Sequence, residues 1–265
     1  MIAGAILVAL VVIVAVVSFL WTPYDPTRVD ATVTLLRPGW PHAFGTDQFG
    51  HDVASQLMVG ARTTLLVGVV AVGVAAVLGV PLGILAAMAP RWGGTLIMRG
   101  NDLLLAFPAL LLAIMFAAVW GASTLTAMFA IGIATVPSFA RVTRSSALQV
   151  LASEYVLAAR SAGRRGTGIA IRHVLPNVSA IVIVQSSVSF AIAILAEAAL
   201  SFLGFGTPPP TPSWGRMLQE SQALLFSDPL LAVWPGVAIA IAVLGFNLLG
   251  DGLRDVLDPT LERHR

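Results

Sequence analysis

The sequence LLLAFPALLLAIMFAAVWGASTLTAMFAIGIATVPSFA at residues 103–140 contains no Asp, Glu, Lys or Arg over 38 residues. A helix rises about 1.5 Å per residue, so a single helix of this length would be nearly twice as long as the roughly 30 Å hydrocarbon core of a membrane is thick. The run therefore predicts two membrane-spanning helices. We place the turn between them at Gly121-Ala122-Ser123, where small and polar residues interrupt the apolar sequence.

Four further runs lack charged residues and are each long enough to span a membrane. Only 11% of the 265 residues are charged and 57% are hydrophobic, whereas a soluble globular domain has roughly 25% charged residues. A large buried core explains some apolar excess, but not five such runs. We expect an all-α, polytopic membrane protein with one domain over residues 1–265 and six spans, at about 2–20, 64–89, 102–120, 124–140, 176–204 and 230–250.

The first run, residues 2–20, has two interpretations. A cleaved signal peptide would begin with a basic region and end at a small-residue cleavage site. The sequence has neither feature, and its 19 residues suffice to span a membrane. We expect a retained helix.

The arginines predict the orientation in the membrane. All fifteen basic residues are Arg, and eleven lie in residues 90–101, 141–173 and 251–265. Because positive charge is enriched in cytoplasmic loops, we expect these segments and both termini in the cytoplasm. The outer segment, 21–63, and an outer proline-rich loop, 205–229, then face the other side. The arginines border spans instead of forming one patch with aromatic residues, so we expect no nucleic-acid partner.

The composition excludes several kinds of active site. A nucleotide-binding loop of the form G-x-x-x-x-G-K-[ST] needs lysine, and the chain has none. Cysteine is also absent, which excludes a disulfide and a thiolate metal site, and the four histidines lie in predicted loops. We therefore expect no catalytic residue, cofactor or metal ligand in this chain.

Glu197 is the one charged residue that lies clearly within a predicted span. At helical spacing it shares an arc of about 120° with several small polar residues. One hypothesis is a face that lines a translocation pathway. The alternative is a helix–helix contact, in which serines and one carboxylate hydrogen-bond to neighbouring helices. The candidate pathway residues are Ser186, Ser189, Glu197 and Ser201.

The loop over residues 141–175, which we call the coupling loop, contains a short predicted helix at Ser153–Ala162 that glycines then end. Small residues on such a helix would allow another protein to approach closely. The alternative is a helix that lies on the lipid surface, anchored by its arginines. The candidate contact residues are Leu157, Ala158, Ala159, Arg160, Gly163, Arg164 and Arg165.

This loop resembles the cytoplasmic signature of permease subunits of ABC importers, an E-A-A motif followed three residues later by Gly. The matching residues are Leu157-Ala158-Ala159 and Gly163, and the resemblance continues at Arg172-His173-Val174-Leu175-Pro176-Asn177. Leu157 stands where the family has Glu. Any polar contact of that Glu is therefore not expected here.

Further motifs resemble the dipeptide and oligopeptide permease family, specifically the second of its two permease subunits. They cover most of the chain, although His51 stands where the family commonly has Arg. The motifs are Gly45-Thr46-Asp47 with Gly50 and Asp52, Asp102–Pro108, Glu197–Gly204, Pro209–Gly215 and Phe246–Asp255.

The resemblance implies a type I ABC importer permease fold and an assembly with several partners. These are a homologous permease, ATPase subunits that bind ATP and Mg²⁺, an extracytoplasmic substrate-binding protein, and the surrounding lipid. It implies that the short helix transmits ATPase closure to the permease pair. Peptides are the expected substrates, with nickel, haem or glutathione as alternatives. The scarcity of charge within the spans disfavours a stand-alone secondary transporter or a channel, and the lack of catalytic groups there disfavours a membrane enzyme.

Overall fold

The computed structural model describes residues 1–257, and all regular elements in that range are helical. The one strand-like feature is an isolated bridge between Thr46 and Asp52. The all-α prediction is therefore confirmed. The helices are α1 (Ile2–Leu20), α2 (Val53–Met88), α3 (Arg91–Ala106), α4 (Ala109–Trp120), α5 (Thr124–Leu151), α6 (Glu154–Ser161), α7 (Gly166–Ile169), α8 (Leu175–Phe202), α9 (Trp214–Ser221) and α10 (Leu230–Leu257).

Five helical segments of the described chain are long and apolar enough to cross a membrane: α1, α2, α5, α10 and the segment Gly166–Phe202 that includes α8. A sixth span results if α3 and α4 are counted together. The predicted turn at Gly121-Ala122-Ser123 separates α4 from α5. The turn therefore lies where the small and polar residues interrupt the apolar run.

The predicted span at residues 102–120 contains a break that the sequence reasoning did not indicate. The chain bends by 82° between α3 and α4, because Pro108 has no N–H and disfavours helical geometry at the preceding residue, Phe107. Helix α3 begins at Arg91, within the predicted loop 90–101. The 12 residues of α4 measure only about 18 Å.

Two other helices extend beyond the predicted spans. Helix α2 begins at Val53, eleven residues before the expected start of the span, and α5 continues past Ala140 to Leu151. Arginines stop a hydrophobic run but do not stop a helix, because arginine is a good helix former. The uncharged runs therefore predicted the length of each hydrophobic segment, and helices α2 and α5 extend beyond those segments. The end of the predicted segment 251–265 lies outside the described residues.

The bundle is built around α2 and α5, with α8 against both and with α1 and α10 on one side. A Cβ on Gly83 of α2 would lie 2.6 Å from the carbonyl oxygen of Ala140 in α5. Glycine is therefore what permits the close approach of these two backbones. Many large apolar side chains on the outside of the bundle are exposed, as expected for helices that face lipid or other subunits.

Candidate functional site in the coupling loop and beneath the outer loop

Helix α6 in the coupling loop packs on the bundle through one side. Val156 is fully buried, and it belongs to a hydrophobic cluster with Leu151 at the end of α5 and Ile169 in α7. The cluster continues into α2 and α8 through Ile84 and Val178. The helix is therefore attached to the same apolar core that holds three spanning segments together.

The other side of α6 is uncovered by the described part of the chain. Leu157 is 49% exposed, and of the seven predicted contact residues only Ala159 is half-buried. The remaining six are exposed: Leu157, Ala158, Arg160, Gly163, Arg164 and Arg165. The structure thus brings the predicted residues together on one accessible surface.

Gly163 ends α6 in a left-handed conformation, with φ of +78°. Its N–H donates to the carbonyl of Arg160 at 2.9 Å, and the N–H of Arg164 donates to the carbonyl of Ala159 at 3.1 Å. This is the hydrogen-bond pattern of a Schellman C-cap. A Cβ at Gly163 would meet no atom of the described residues within 4 Å. The backbone conformation, and not packing within the chain, therefore requires glycine.

Residues Ala170–Val174 form a π-turn between α7 and α8, in which the N–H of Leu175 donates to the carbonyl of Ala170, five residues earlier. Pro176 cannot donate to the carbonyl of Arg172, four residues before it. The Nδ2 of Asn177 donates to the adjacent carbonyl, that of His173, at 2.7 Å. The motif at residues 172–177 thus accommodates a proline inside a helix that continues without a break.

A chain of hydrogen bonds lies beneath the outer loop at the end of α8. Glu197 is 1% exposed, and its Oε1 accepts from the Oγ of Ser201 at 2.7 Å. Ser201 Oγ in turn accepts from the N–H of Thr207 at 3.0 Å, and Thr124 of α5 donates to the Oγ1 of Thr207 at 3.3 Å. The other carboxylate oxygen, Oε2, has no partner among the described residues. Ser201 therefore joins α8 to the outer loop, and Glu197 accepts the hydrogen bond of the Ser201 hydroxyl.

The other two candidate pathway residues lie nearer the middle of α8. Ser189 is 1% exposed and accepts from Gln185 Nε2 at 3.1 Å. Ser186 is half-buried and donates to the carbonyl of Val182 at 2.8 Å. Of the four candidates, only Ser186 has appreciable surface in this structure.

Two carboxylates order the outer segment where it enters α2. Asp52 caps α2 by accepting from the N–H and the hydroxyl of Ser55, at 2.8 and 2.7 Å, and its other oxygen lies 2.9 Å from His42 Nδ1. Asp47 accepts from the N–H groups of Phe49 and His51. Its second oxygen lies 2.7 Å from His51 Nδ1. The Gly-Thr-Asp motif and His51 therefore build a folded turn.

Two carboxylates of the outer segment have lowered pKa values. Hydrogen bonds from the hydroxyl and the N–H of Thr27 lower the pKa of Asp25, and the same donors of Thr32 lower the pKa of Asp30. Both are turns in which an Asp side chain accepts from the residue two positions later. They stabilise the local path of the segment.

Some functional residues were missed by the sequence reasoning. Val156 and Ile169, which attach the coupling loop to the core, were not singled out. A signal existed for Val156, since it is the apolar residue that precedes the predicted contact triplet by one position. The hydroxyls of Thr124 and Thr207 are far apart in sequence, and no local pattern indicates that they meet.

Comparison with known proteins identifies the family of this chain. Residues 79–263 match the family described as binding-protein-dependent transport system inner membrane component. The chain belongs to this family. It is a multi-pass membrane permease of the ABC importer type, and such a permease works with ATPase subunits and a further permease subunit. The chemistry of ATP hydrolysis is not a function of permease components.

Relatives of this inner membrane component match it over nearly its whole length. It is 41% identical to a dipeptide transport system permease protein of Alkalihalophilus pseudofirmus, with 98% of this chain and 86% of that protein covered. It is 40% identical to a di/tripeptide transport system permease protein of Pseudomonas aeruginosa, with 98% and 88% covered. It is also 40% identical to a glutathione transport system permease protein of Escherichia coli, with 98% and 86% covered.

The fold is similar to a chain of the MetNI methionine ABC transporter, solved in inward-facing conformations. The TM-score is 0.65 at 16% sequence identity, and the alignment covers 77% of this chain and 96% of that chain. The predicted permease fold and the predicted resemblance to the second peptide permease subunit are confirmed.

Proposed function

We propose that this chain forms half of the translocation pathway of an ATP-driven importer for dipeptides or oligopeptides. Glutathione, itself a small peptide, is the leading alternative, because a glutathione permease protein is as similar to this chain as the di/tripeptide one. Nickel and haem were the other expected alternatives, and no observation favours them. An extracytoplasmic binding protein selects the substrate and delivers it to the outer face.

The observation that carries the proposal is the two-sided packing of α6. Val156 fixes the helix to the core, while Leu157, Ala158 and Gly163 are exposed in the described part of the chain. A buried anchor and an uncovered small-residue surface are what a helix needs to seat in a groove of another protein. ATP and Mg²⁺ would be bound by that partner, an ABC ATPase subunit.

The three arginines next to this surface have two roles. Arg160, Arg164 and Arg165 are exposed at the end of α6 and beyond. In a cytoplasmic coupling loop they contact both the ATPase and the anionic lipid surface. We accordingly place both chain termini in the cytoplasm of a bacterial cell and the chain in its inner membrane.

The four candidate pathway residues of α8 also fall into two groups. Burial and the hydrogen bond from Ser201 favour a packing role for Glu197, in which it orients the serine that binds the outer loop. Ser186 has surface available and remains a pathway candidate. Ser189 and Ser201 are buried and contribute to the pathway only if the outer half of α8 separates from its neighbours.

The proposal is tested by expressing the operon-encoded subunits with a tag on this chain. Co-purification of ATPase subunits and a second permease is expected. Reconstituted vesicles supplied with ATP should accumulate labelled dialanine or labelled glutathione when the binding protein is present. Uptake by this chain without ATPase subunits would contradict the importer function, and uptake of nickel alone would contradict the peptide assignment.

A further inference from the structure

The π-turn at Ala170–Val174 is a feature that the proposed function does not use. A π-turn holds one residue more than an α-helical turn, and it is uncommon in proteins. Here it lies in the continuous helical segment that leads from the coupling loop into α8. It therefore stands between the surface proposed to contact the ATPase and the span that carries Glu197.

The turn is built into the sequence. Pro176 leaves the carbonyl of Arg172 without its α-helical donor, and the amide side chain of Asn177 donates to the carbonyl of His173 at 2.7 Å. The inner side of the turn is apolar, because Val174 is fully buried in the cluster that also contains Val156. Ile171, in contrast, is 68% exposed.

His173 is the residue of the turn that reaches α6. Its ring centroid lies 6.0 Å from that of Tyr155, with the two rings inclined by 51°, an arrangement in the favourable range for aromatic pairs. The Nε2 of His173 is buried and has no hydrogen-bond partner among the described residues. The contact with α6 therefore depends on the two rings and not on a hydrogen bond.

We propose that His173 and Tyr155 are positioning residues that link α6 to the π-turn, so that displacement of α6 by the ATPase moves the start of α8. This inference rests on the proposed function. Val156 and Val174 keep the loop attached to the core, while the ring pair fixes the direction in which α6 and the turn move together. Such single π-helical turns within α-helices are frequent at functional sites.

The test compares coupling in the reconstituted complex for Tyr155→Ala, His173→Ala, Tyr155→Phe and the double alanine variant. Uptake of labelled dialanine and labelled glutathione is measured per ATP hydrolysed, beside subunit recovery and total ATPase activity. Each single alanine variant should lower uptake per ATP at least fivefold while recovery and ATPase activity stay within twofold. Tyr155→Phe should behave as the parent, since the ring makes the contact.

The double variant distinguishes a shared link from two separate effects. If the two rings act through each other, the double variant is no worse than the worse single variant. Ile171→Ala is the matched control, because it changes an exposed side chain of the same turn, and it should leave uptake per ATP unchanged.

The possible results distinguish a failure of the Tyr155–His173 link from a failure of the proposed function. Unchanged uptake per ATP in both single alanine variants overturns the link. Loss of the ATPase subunits from the purified complex in those variants also overturns it, since the residues would then act in docking. If the parent chain recovers no ATPase subunit at all, the proposed function fails and the link fails with it.

Discussion

The indole nitrogen of Trp214 donates to the backbone carbonyl of Leu57 at 3.0 Å, which fixes the start of α9 to α2. Thr63 adds a second attachment by donating to the carbonyl of Pro212 at 3.1 Å. Trp214 is 3% exposed and contacts α2 at Gly60. The proline-rich loop is therefore held on the bundle at the same place where the outer segment enters α2.

Gly60→Ala should destabilise the protein, because a Cβ at this position would lie 2.6 Å from Cδ1 of Trp214. Displacing the indole strains its hydrogen bond to Leu57. Overpacking of this kind lowers the free energy of unfolding by about 1–3 kcal/mol. Thermal unfolding of the detergent-purified protein measures this as a lower Tm. Gly73→Ala in the same helix is the control, since a Cβ there meets nothing within 4 Å, and an equal loss in both variants would contradict the packing argument.

Gly163→Ala should uncouple transport from ATP hydrolysis. A side chain in the left-handed conformation costs about 1–2 kcal/mol, so the end of α6 would open and its contact surface would change. Gly163→Trp adds bulk on the same surface and should uncouple more strongly. Uptake per ATP hydrolysed is the measurement. Gly168→Ala, whose Cβ also meets nothing within 4 Å and whose φ is not positive, should stay coupled; normal coupling in Gly163→Trp would refute the prediction.

Leu157→Glu should be tolerated. The side chain is 49% exposed and its helix is held by Val156 instead, so a carboxylate at position 157 remains solvated. The resembling motif has Glu at this place, which indicates that the partner surface accepts one. Subunit recovery and uptake are expected within twofold of the parent, and loss of the ATPase subunits would show that the partner needs an apolar residue here.

Ser201→Ala should loosen the outer loop, because it removes both the donor to Glu197 and the acceptor for the N–H of Thr207. Leaving two buried polar groups unpaired costs about 1–3 kcal/mol for each. Protease cleavage within residues 205–213 should become faster. Glu197→Gln keeps an acceptor for Ser201 and should leave cleavage and assembly unchanged, whereas abolished uptake in a fully assembled Glu197→Gln complex would support the pathway role for the carboxylate.

Asp52→Ala should destabilise the outer segment, since it removes the cap of α2 and the partner of His42. Losing a capping residue costs about 0.5–2 kcal/mol, and the unpaired His42 adds to this. Asp52→Asn keeps an acceptor for the N–H of Ser55 and should retain most of the stability. Hydrogen exchange of residues 42–56 is the measurement, and equal protection in the alanine variant and the parent would contradict the assignment.

Much of the fold follows from hydrophobic length, because a membrane demands apolar runs of at least a minimum length. The turn at Gly121-Ala122-Ser123 and the helix around Val156 were both predicted from local signals. The helix ends were not predicted, because α2 begins directly after Asp52 and α5 continues beyond Ala140, both past the ends of the apolar runs. The bend at Pro108 was missed because the apolar run continues through the proline and suggests an unbroken span.

In the candidate site, too, features set by neighbouring residues could be predicted from the sequence, whereas contacts between distant residues could not. The exposed residues of the α6 surface all lie within residues 157–165, so a motif could indicate them. The contacts that attach this surface to the bundle join distant residues, such as Val156 with Val178. The glycine at position 163 was expected to end the helix and to permit close approach by a partner, and the structure shows the left-handed conformation by which it ends α6.

The bend between α3 and α4 limits how the subunit sits among its neighbours. The first N–H groups of α4 and the last carbonyls of α3 make no helical hydrogen bond to each other, since Phe107 N–H bonds back to Leu104 and Leu112 N–H to Pro108. Phe107 is 52% exposed at this place. Hydrocarbon does not tolerate such groups without partners. We therefore expect the flank with the bend to face other subunits or water, and the acyl chains of the bilayer to meet the subunit on its other flanks.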